Sequence, residues 1–393
     1  MQDVHDAIIV GGRVAGTATA LLLARAGRRV LVLERARYGS DTLSTHAFMR
    51  GGVMQLGRFG LLDALVAAGT PPVRRTVIRY GDTEQVVAVR PSPYVDALYA
   101  PRRSLLDRVL ADAAIAAGAE VRFATTVTEL LHADDGAVVG VRGHDAQGRR
   151  FEARAPITIG ADGLRSRVAR EVGALTYRRG QHATGMVLSY LSGLEVDGYQ
   201  WLYGSGASAG LIPTNDGLVC AWVGLPADRF RSALRGRPDH GLVDGFAEVA
   251  PDWAARVADA RRHGPVRGFP GVPGFLRQPW GRGWALVGDA SHFKDPLTTH
   301  GMTDALRDAE LLARAVLEGE GSPARLEAAL VDYHATRDRL SLPLFEAADR
   351  VAAFDWELGA LRELLLDVSA AMRPELDHLA GLEPMSVAQP VAA

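Results

Sequence analysis

The chain has 393 residues, a net charge of −2, 48% hydrophobic and 23% charged residues, proportions of a globular protein with one large or two ordinary domains. The balanced charge gives no electrostatic reason to expect nucleic acid or an anionic membrane as partner. The single cysteine, Cys220, excludes an intrachain disulfide, a multi-thiolate zinc site and a dithiol redox centre, and no metal site is expected.

No apolar run reaches the roughly 18 residues of a membrane helix. The N-terminus enters a strand without a basic segment or cleavage site, so a cytoplasmic protein without membrane insertion is expected. The first elements are the most informative. An apolar run at 6–10 leads into Gly11-Gly12-Arg13-Val14-Ala15-Gly16, then an Ala/Leu-rich helix stopped by Gly27, then a second run from Val30 that ends in Glu34. This is the strand, glycine turn, helix, strand and acid of a dinucleotide-binding βαβ unit. Free N–H groups at the helix start can take a pyrophosphate, and Glu34 stands where a carboxylate accepts from a ribose diol. Arg13 occupies the position where the fingerprint has its second glycine. Either its side chain points away, or its guanidinium helps neutralise phosphate.

A polar stretch follows, Tyr38-Gly39-Ser40-Asp41-Thr42-Leu43-Ser44-Thr45-His46, where loops tend to line sites. Helices are expected around 53–56 and 61–68, and strands at 76–80 and 86–89. Arg102-Arg103-Ser104 opens a helix that Gly118 ends. Strands at 120–123 and 127–130 precede a hairpin of 138–141 and 151–155. The apolar strand 156–159 runs into Gly160-Ala161-Asp162-Gly163. Residues 181–224, rich in aromatic and β-branched residues, read as a mostly antiparallel sheet, 227–262 as helical, and 265–274 as irregular. Strand 284–287 ends at Gly288-Asp289-Ala290-Ser291-His292, and a helix starts near Thr299-His300-Gly301-Met302. Helices at 323–350 and 356–379 and a frayed tail from 383 complete the chain.

Three ordered motifs, Gly11 to Gly16, Asp162-Gly163 with Arg165 and Ser166, and Gly288-Asp289, resemble those of the flavoprotein monooxygenases of the para-hydroxybenzoate hydroxylase fold. Their relatives include geranylgeranyl reductases and flavin-dependent halogenases. The resemblance implies an α/β (α+β) architecture: a Rossmann-like FAD-binding domain from 1–75, 101–180 and 275–320, an interleaved, mostly antiparallel substrate-binding sheet from 76–100 and 181–274, C-terminal helices at 321–382, and a flexible tail at 383–393. It implies FAD as cofactor, with NAD(P)H as transient electron donor. Gly11, Gly12, Arg13, Ala15 and Gly16 would surround the pyrophosphate, Glu34 the adenosine ribose, and Val127 the adenine, with Arg35 also in the cofactor set. Arg103 would reach FAD, with Arg102 the competing choice. Ser44, Thr45, Gly288, Pro296, Gly301 and Met302 join the cofactor set, and Asp289 would take the ribityl hydroxyls. Asp162 is assigned to that set, and is expected to organise its turn and bond neighbouring arginines.

The family often has Gly-Gln-Gly-Met-Asn where this chain has Thr299-His300-Gly301-Met302-Thr303. His300 therefore falls close to the flavin ring, where a helix start favours a neutral imidazole donor. His300 and His46 are the catalytic candidates, whereas His292 reads as a loop-structuring residue. The implied function is an FAD-dependent monooxygenase, of hydroxylase or epoxidase type, using NAD(P)H and O2 on an aromatic or polycyclic small molecule in secondary metabolism. The alternatives are an FAD-dependent reductase or dehydrogenase acting on carbon–carbon bonds, a halogenase, and a non-catalytic dinucleotide-binding protein. The only lysine, Lys294, lies in the late motif, and Leu211-Ile212-Pro213 lacks the halogenase tryptophans. Tyr190, Trp201, Tyr203 and Trp222 are candidates for a substrate pocket.

Overall fold

The computed structural model describes residues 5–233 and 238–385. Strand β1 (Ala7–Val10), helix α1 (Val14–Arg25) and strand β2 (Val30–Leu33) form the opening unit. Both strands are buried along their whole length because each face has a cover. Ala7 and Ile9 point into one core and Ile8 and Val10 into another, so the strands read as continuous apolar runs. They sit in a six-stranded sheet ordered Trp280–Gly281, Trp284–Leu286, Thr158–Gly160, β1, β2, Glu120–Arg122. All its pairings are parallel except that of the edge strand Trp280–Gly281. The three motifs named above therefore leave neighbouring parallel strands at the same end of one sheet, where α/β folds bind ligands.

The close approach of α1 to this sheet explains two glycines. Gly11 has φ +106°, and a Cβ there would lie 2.4 Å from the Ala161 carbonyl oxygen. At Gly16 a Cβ would lie 1.8 Å from the Gly11 carbonyl oxygen. Helix α1 is flanked by the helices Arg103–Ala116 and Gly301–Glu318, and it is buried throughout except at Arg25.

A seven-stranded sheet runs Arg261–Phe269, Thr184–Ser192, Val219–Pro226, Ala207–Pro213, Tyr199–Gly204, Arg75–Tyr80, Thr83–Ala88. Its pairings are antiparallel except for Tyr199–Gly204 beside Arg75–Tyr80. Alternation divides its faces: Met186, Leu188, Tyr190, Cys220 and Trp222 join the core shared with the first sheet, while Val187, Leu191, Ala221 and Val223 pack on Leu242 and Phe246. Two three-stranded sheets complete the molecule, Thr126–His132 with Val138–His144 and Arg150–Arg154, and Thr176–Arg179 with Phe275–Arg277 and His292–Phe293.

Three expectations need correction. Residues 265–274, expected to be irregular, begin inside the edge strand Arg261–Phe269. Its ladder slips between Leu188 and Tyr190, and Gly264 there has φ +84°; a bulge on an edge strand accommodates Pro265, which has no N–H to give. The helical run expected at 227–262 comprises Ala227–Ala233, Pro238–Val249 and Pro251–Asp259, with 234–237 outside the described residues. The helix expected at 356–379 is two, Leu358–Ala371 and Arg373–Gly381, because the chain turns at Met372 and restarts on a proline. Of the expected tail, 386–393 lie outside the described residues.

Substituting Gly16→Ala should cost about 3 kcal/mol through overpacking. Thermal melts beside the parent protein check this, and an unchanged melting temperature would refute the close-approach argument.

Candidate active site

The site begins at the start of α1. Arg13, the residue before the helix, is extended and places no side-chain cap on it. The first intrahelical bond runs from Thr17 N–H to the Arg13 carbonyl, so the N–H groups of Val14, Ala15 and Gly16 have no carbonyl ahead of them. Glu34 sits beneath the turn, its carboxylate accepting the Gly12 N–H at 2.6 Å and the Ala36 N–H at 2.7 Å. The Arg13 guanidinium turns to the side, donating to Asp107 at 2.6 Å and to the Ser40 carbonyl at 2.9 Å. Arg103 donates to the same carboxylate at 3.1 and 3.3 Å. Two guanidiniums on one carboxylate leave one positive charge beside the helix start. Arg13 thus has a protein partner, Asp107, that sequence spacing did not suggest.

A cavity of about 300 Å³ extends from this point. Of the expected cofactor residues its wall holds Arg13, Ala15, Ser44, Thr45, Arg103, Asp289, Pro296, His300, Gly301 and Met302. Arg102 lies elsewhere, over the Tyr190 ring at 3.8 Å and paired with Asp41 at 3.3 Å. Gly288 backs the wall, with Ala15 Cβ 2.9 Å from where its own Cβ would stand. Burial, with Asp304 nearby, pushes the Asp289 carboxyl up to about 6, against the pull of Arg103 and Lys294. Opposite, the helix Gly301–Glu318 starts without a side-chain cap after Thr299, which has φ +51°, so its first N–H groups are available to a ligand.

The remaining candidates stand off the cavity. Arg35 is exposed, and Val127 is buried in the strand Thr126–His132 opposite Gly143. Asp162 organises its turn and bonds its neighbour Arg167 through the backbone: it accepts from Ser166 Oγ at 2.5 Å and from the N–H groups of Arg167 and Val168 at 2.6 and 3.2 Å. This caps the short helix Arg167–Glu171. His46 is enclosed, with φ +66°, and its Nε2 is bonded to Tyr190 Oη. Burial, then the charges of Arg103, Arg102 and Arg267, hold the imidazole well below its ordinary value. It is a neutral ring tying the 38–46 loop to the second sheet.

Beyond the small cavity lies a buried charged network. Lys294 Nζ lies 2.7 and 2.8 Å from the two Asp304 oxygens. Arg307 reaches Asp304 at 2.9 Å, Asp308 at 2.7 Å, Glu375 at 2.6 Å and Ser341 Oγ at 2.8 Å. His292 Nδ1 is 3.3 Å from Asp308. His300 Nε2 is 3.0 and 3.2 Å from the Glu375 oxygens, and His300 Nδ1 is buried without a partner. Against burial, which raises them, Lys294 and Arg307 hold the Asp304 carboxyl well below the ordinary range, and His300 and Arg307 hold Glu375 down. His300, Asp304 and Glu375 have the spacing of a metal triad, but Lys294 and Arg307 already take both carboxylates. His300 Nε2 therefore faces the Glu375 carboxylate.

His300 and Glu375 also line a second, mainly apolar cavity of about 750 Å³. Its floor is the far end of the seven-stranded sheet, with Ile78, Trp201 and Tyr203, and its roof is the helix pair from 358, with Leu365, Val368 and Leu376. Of the four aromatic candidates, Trp201 and Tyr203 reach this space. Trp222 packs 6.0 Å from Trp201, and Tyr190 belongs to His46.

The bare N–H groups and the surplus positive charge suit the diphosphate of FAD, and the raised Asp289 carboxyl suits its polyol. Residues 4–235 match the FAD-binding domain family model, and residues 276–344 match that of squalene epoxidase. The chain belongs to the FAD-binding domain family and is an FAD-dependent oxidoreductase. It is 27% identical over 336 residues to digeranylgeranylglycerophospholipid reductase 2 of Methanococcoides burtonii, covering 82% of this chain and 78% of that one. It is also 27% identical over 319 residues to squalene monooxygenase of Mus musculus, covering 78% and 54%. Among solved structures it shares the fold of the flavin-dependent brominase Bmp2 (TM-score 0.78, 20% identity, 97% and 94% covered) and of Pseudomonas aeruginosa PqsL in complex with 2-aminobenzoylacetate (TM-score 0.74, 22% identity, 95% and 100% covered).

Because folded His46 resists protonation, the unfolded chain takes up the extra proton below the ordinary value of 6.5. Stability should therefore fall with pH from about 6.5 downward, by up to about 1.4 kcal/mol per unit. His46→Gln should lack that component when denaturant midpoints are compared from pH 7.5 to 5; identical slopes would contradict it.

Proposed function

We propose that this chain is an FAD-dependent monooxygenase that takes electrons from NAD(P)H and inserts one oxygen atom of O2 into an aromatic or polycyclic small molecule. The observation that carries the reading is the meeting of the two cavities at His300. A large apolar chamber beside the cofactor cavity suits a bulky substrate brought to a flavin. Bound FAD supplies the redox chemistry, accepting a hydride and passing electrons to O2. The protein's part is positioning. Gly11, Gly12, Arg13, Ala15 and Gly16 seat the pyrophosphate, helped by Arg103. Glu34, Arg35 and Val127 border the adenosine half, and Asp289 accepts from the ribityl hydroxyls. Pro296, Gly301 and Met302, with Ser44 and Thr45 opposite, border the flavin ring, where the N–H groups at the helix start favour negative charge. Trp201 and Tyr203 hold the substrate's apolar body.

A second reading, reduction of carbon–carbon double bonds, is favoured by the likeness to the phospholipid reductase. Incubation with NADPH and candidate substrates under ¹⁸O2 separates the two. Label in the product is expected; substrate conversion that proceeds equally without oxygen would replace the oxygenase reading with the reductase one.

Asp289 sets a pH dependence on cofactor retention. A carboxyl at about 6 must be deprotonated to accept two hydroxyl donors, so FAD affinity should fall as pH drops through about 6, by up to roughly tenfold per unit. Fluorescence titration of the apoprotein with FAD at pH 5 to 8 measures this. Asp289→Asn should bind weakly and flatly across the range, and a flat profile for the parent would remove Asp289 from the cofactor site.

A further inference from the structure

We infer that the large cavity takes an anionic ligand, a molecule with an apolar body and one carboxylate or phosphate group. Arg50, Arg90 and Arg373 hold that group at the end of the chamber where the helices Arg50–Arg58 and Arg373–Gly381 meet. The inference deepens the oxygenase reading by naming the class of substrate, and rests on that reading for taking the chamber as the substrate site. Four arginines line the chamber, Arg50, Arg90, Arg362 and Arg373, and among the described residues Glu375 is the only carboxylate on its wall. That carboxylate is already engaged by Arg307 at 2.6 Å and by His300 at 3.0 Å. The remaining wall, His300 apart, is uncharged. The space is therefore apolar in its body and positive at its edge, the complement of an amphiphilic anion.

In a chain whose cations are almost all arginine, number means little, and position carries the argument. Arg50 donates to the Arg90 carbonyl at 2.6 Å and to Ser92 Oγ at 2.7 Å. Residues 50 and 90 are thus neighbours, and the Arg50 guanidinium is fixed with N–H groups to spare. Gly51 touches the last helix: a Cβ there would lie 2.5 Å from Glu375 Oε1, and Arg373 opens the same helix. The three arginines therefore border one end of the chamber. Among the described residues the side chains of Arg90 and Arg373 meet no acceptor. Both are exposed and Arg50 is half-buried, so the cluster carries its charge at little cost in desolvation. One fixed and two adaptable guanidiniums match the oxygens of a carboxylate or phosphate. From there the apolar body runs over Ile78, Trp201 and Tyr203, beneath Leu365 and Val368. Arg362 stands apart. It lies one helical turn past Leu358, whose Cδ1 would be 3.4 Å from a Cβ at Gly81, in the turn of the hairpin whose other end leads to Arg90. Arg373 follows both segments that match family models, 4–235 and 276–344, so the family likeness does not supply this contact.

The test uses the FAD-loaded protein and a matched pair of probes, 1-pyrenebutanoate and the neutral 1-pyrenebutanol, whose fluorescence falls by energy transfer to the flavin on binding. The acid should bind about tenfold more tightly than the alcohol, the scale of a few partly exposed charge contacts, and the preference should shrink as salt is raised. Arg90→Gln combined with Arg373→Gln should remove most of the preference and leave alcohol binding unchanged. Both replaced side chains are exposed, and the flavin absorbance checks that the variant keeps its cofactor. Arg362→Gln takes an equal charge from elsewhere on the same wall and should leave the preference in place. Dodecanoate and dodecyl phosphate, set against dodecanol as displacing ligands, then identify the anion; displacement by either one ahead of dodecanol is the expected result. Failure of the acid to bind, equal affinity for acid and alcohol, a preference that survives the double variant, or one lost equally on Arg362→Gln would each overturn the inference. No readout needs NADPH, O2 or turnover, so failure here and failure of the oxygenase reading under ¹⁸O2 are separate results.

Discussion

A guanidinium shut away from water dictates how the C-terminal half of this protein is put together. Arg307 is fully buried, and an unpaired charge in that position would cost several kcal/mol. Its partners come from its own helix, from Ser341 on the long helix Pro323–Val351, and from Glu375 on the last described helix. The same carboxylates hold Lys294 and His300, which face the cofactor cavity. Covering the large chamber and neutralising the buried charge are therefore one event: when the terminal helix docks, Glu375 arrives at both Arg307 and His300.

That arrangement also places the chemistry. His300 lines both cavities. One wall is backbone, the start of the helix Gly301–Glu318 with its unspent N–H groups. The other is the apolar floor of the seven-stranded sheet. A ligand between them meets polar direction on one side and shape on the other, the division expected of a site that must both orient a ligand and keep water out.

The opening βαβ unit was legible because its determinants are local. Gly11, Gly16 and Glu34 act through a turn, a helix contact and a strand end that lie within one stretch of chain. The positions of Arg103, Ser44, Thr45, Asp289 and Gly301 around one cavity followed from motif order. What could not be read were the partners. Asp107 meets Arg13 across 94 residues and Glu375 meets His300 across 75; no periodicity marks an acidic residue on an amphipathic helix as the one that turns inward. The expectation at His300 weighed the helix start and had no knowledge of a carboxylate 3.0 Å away. The edge strand Arg261–Phe269 was lost to its own proline and glycines, which mean a loop in isolation and a bulge beside a neighbouring strand.

The lone parallel pairing described in the second sheet, Arg75–Tyr80 beside Tyr199–Gly204, carries a consequence for the order of synthesis. The hairpin 75–88 leaves the ribosome more than a hundred residues ahead of the strand that anchors it, and Trp284–Leu286 reaches its place beside Thr158–Gly160 later still. The second sheet cannot close on the nascent chain until Arg261–Phe269 has emerged, nor the first until Trp284–Leu286 has. The early elements must wait with their apolar faces uncovered, which makes the interval before residue 286 appears the stretch in which this protein most needs a chaperone.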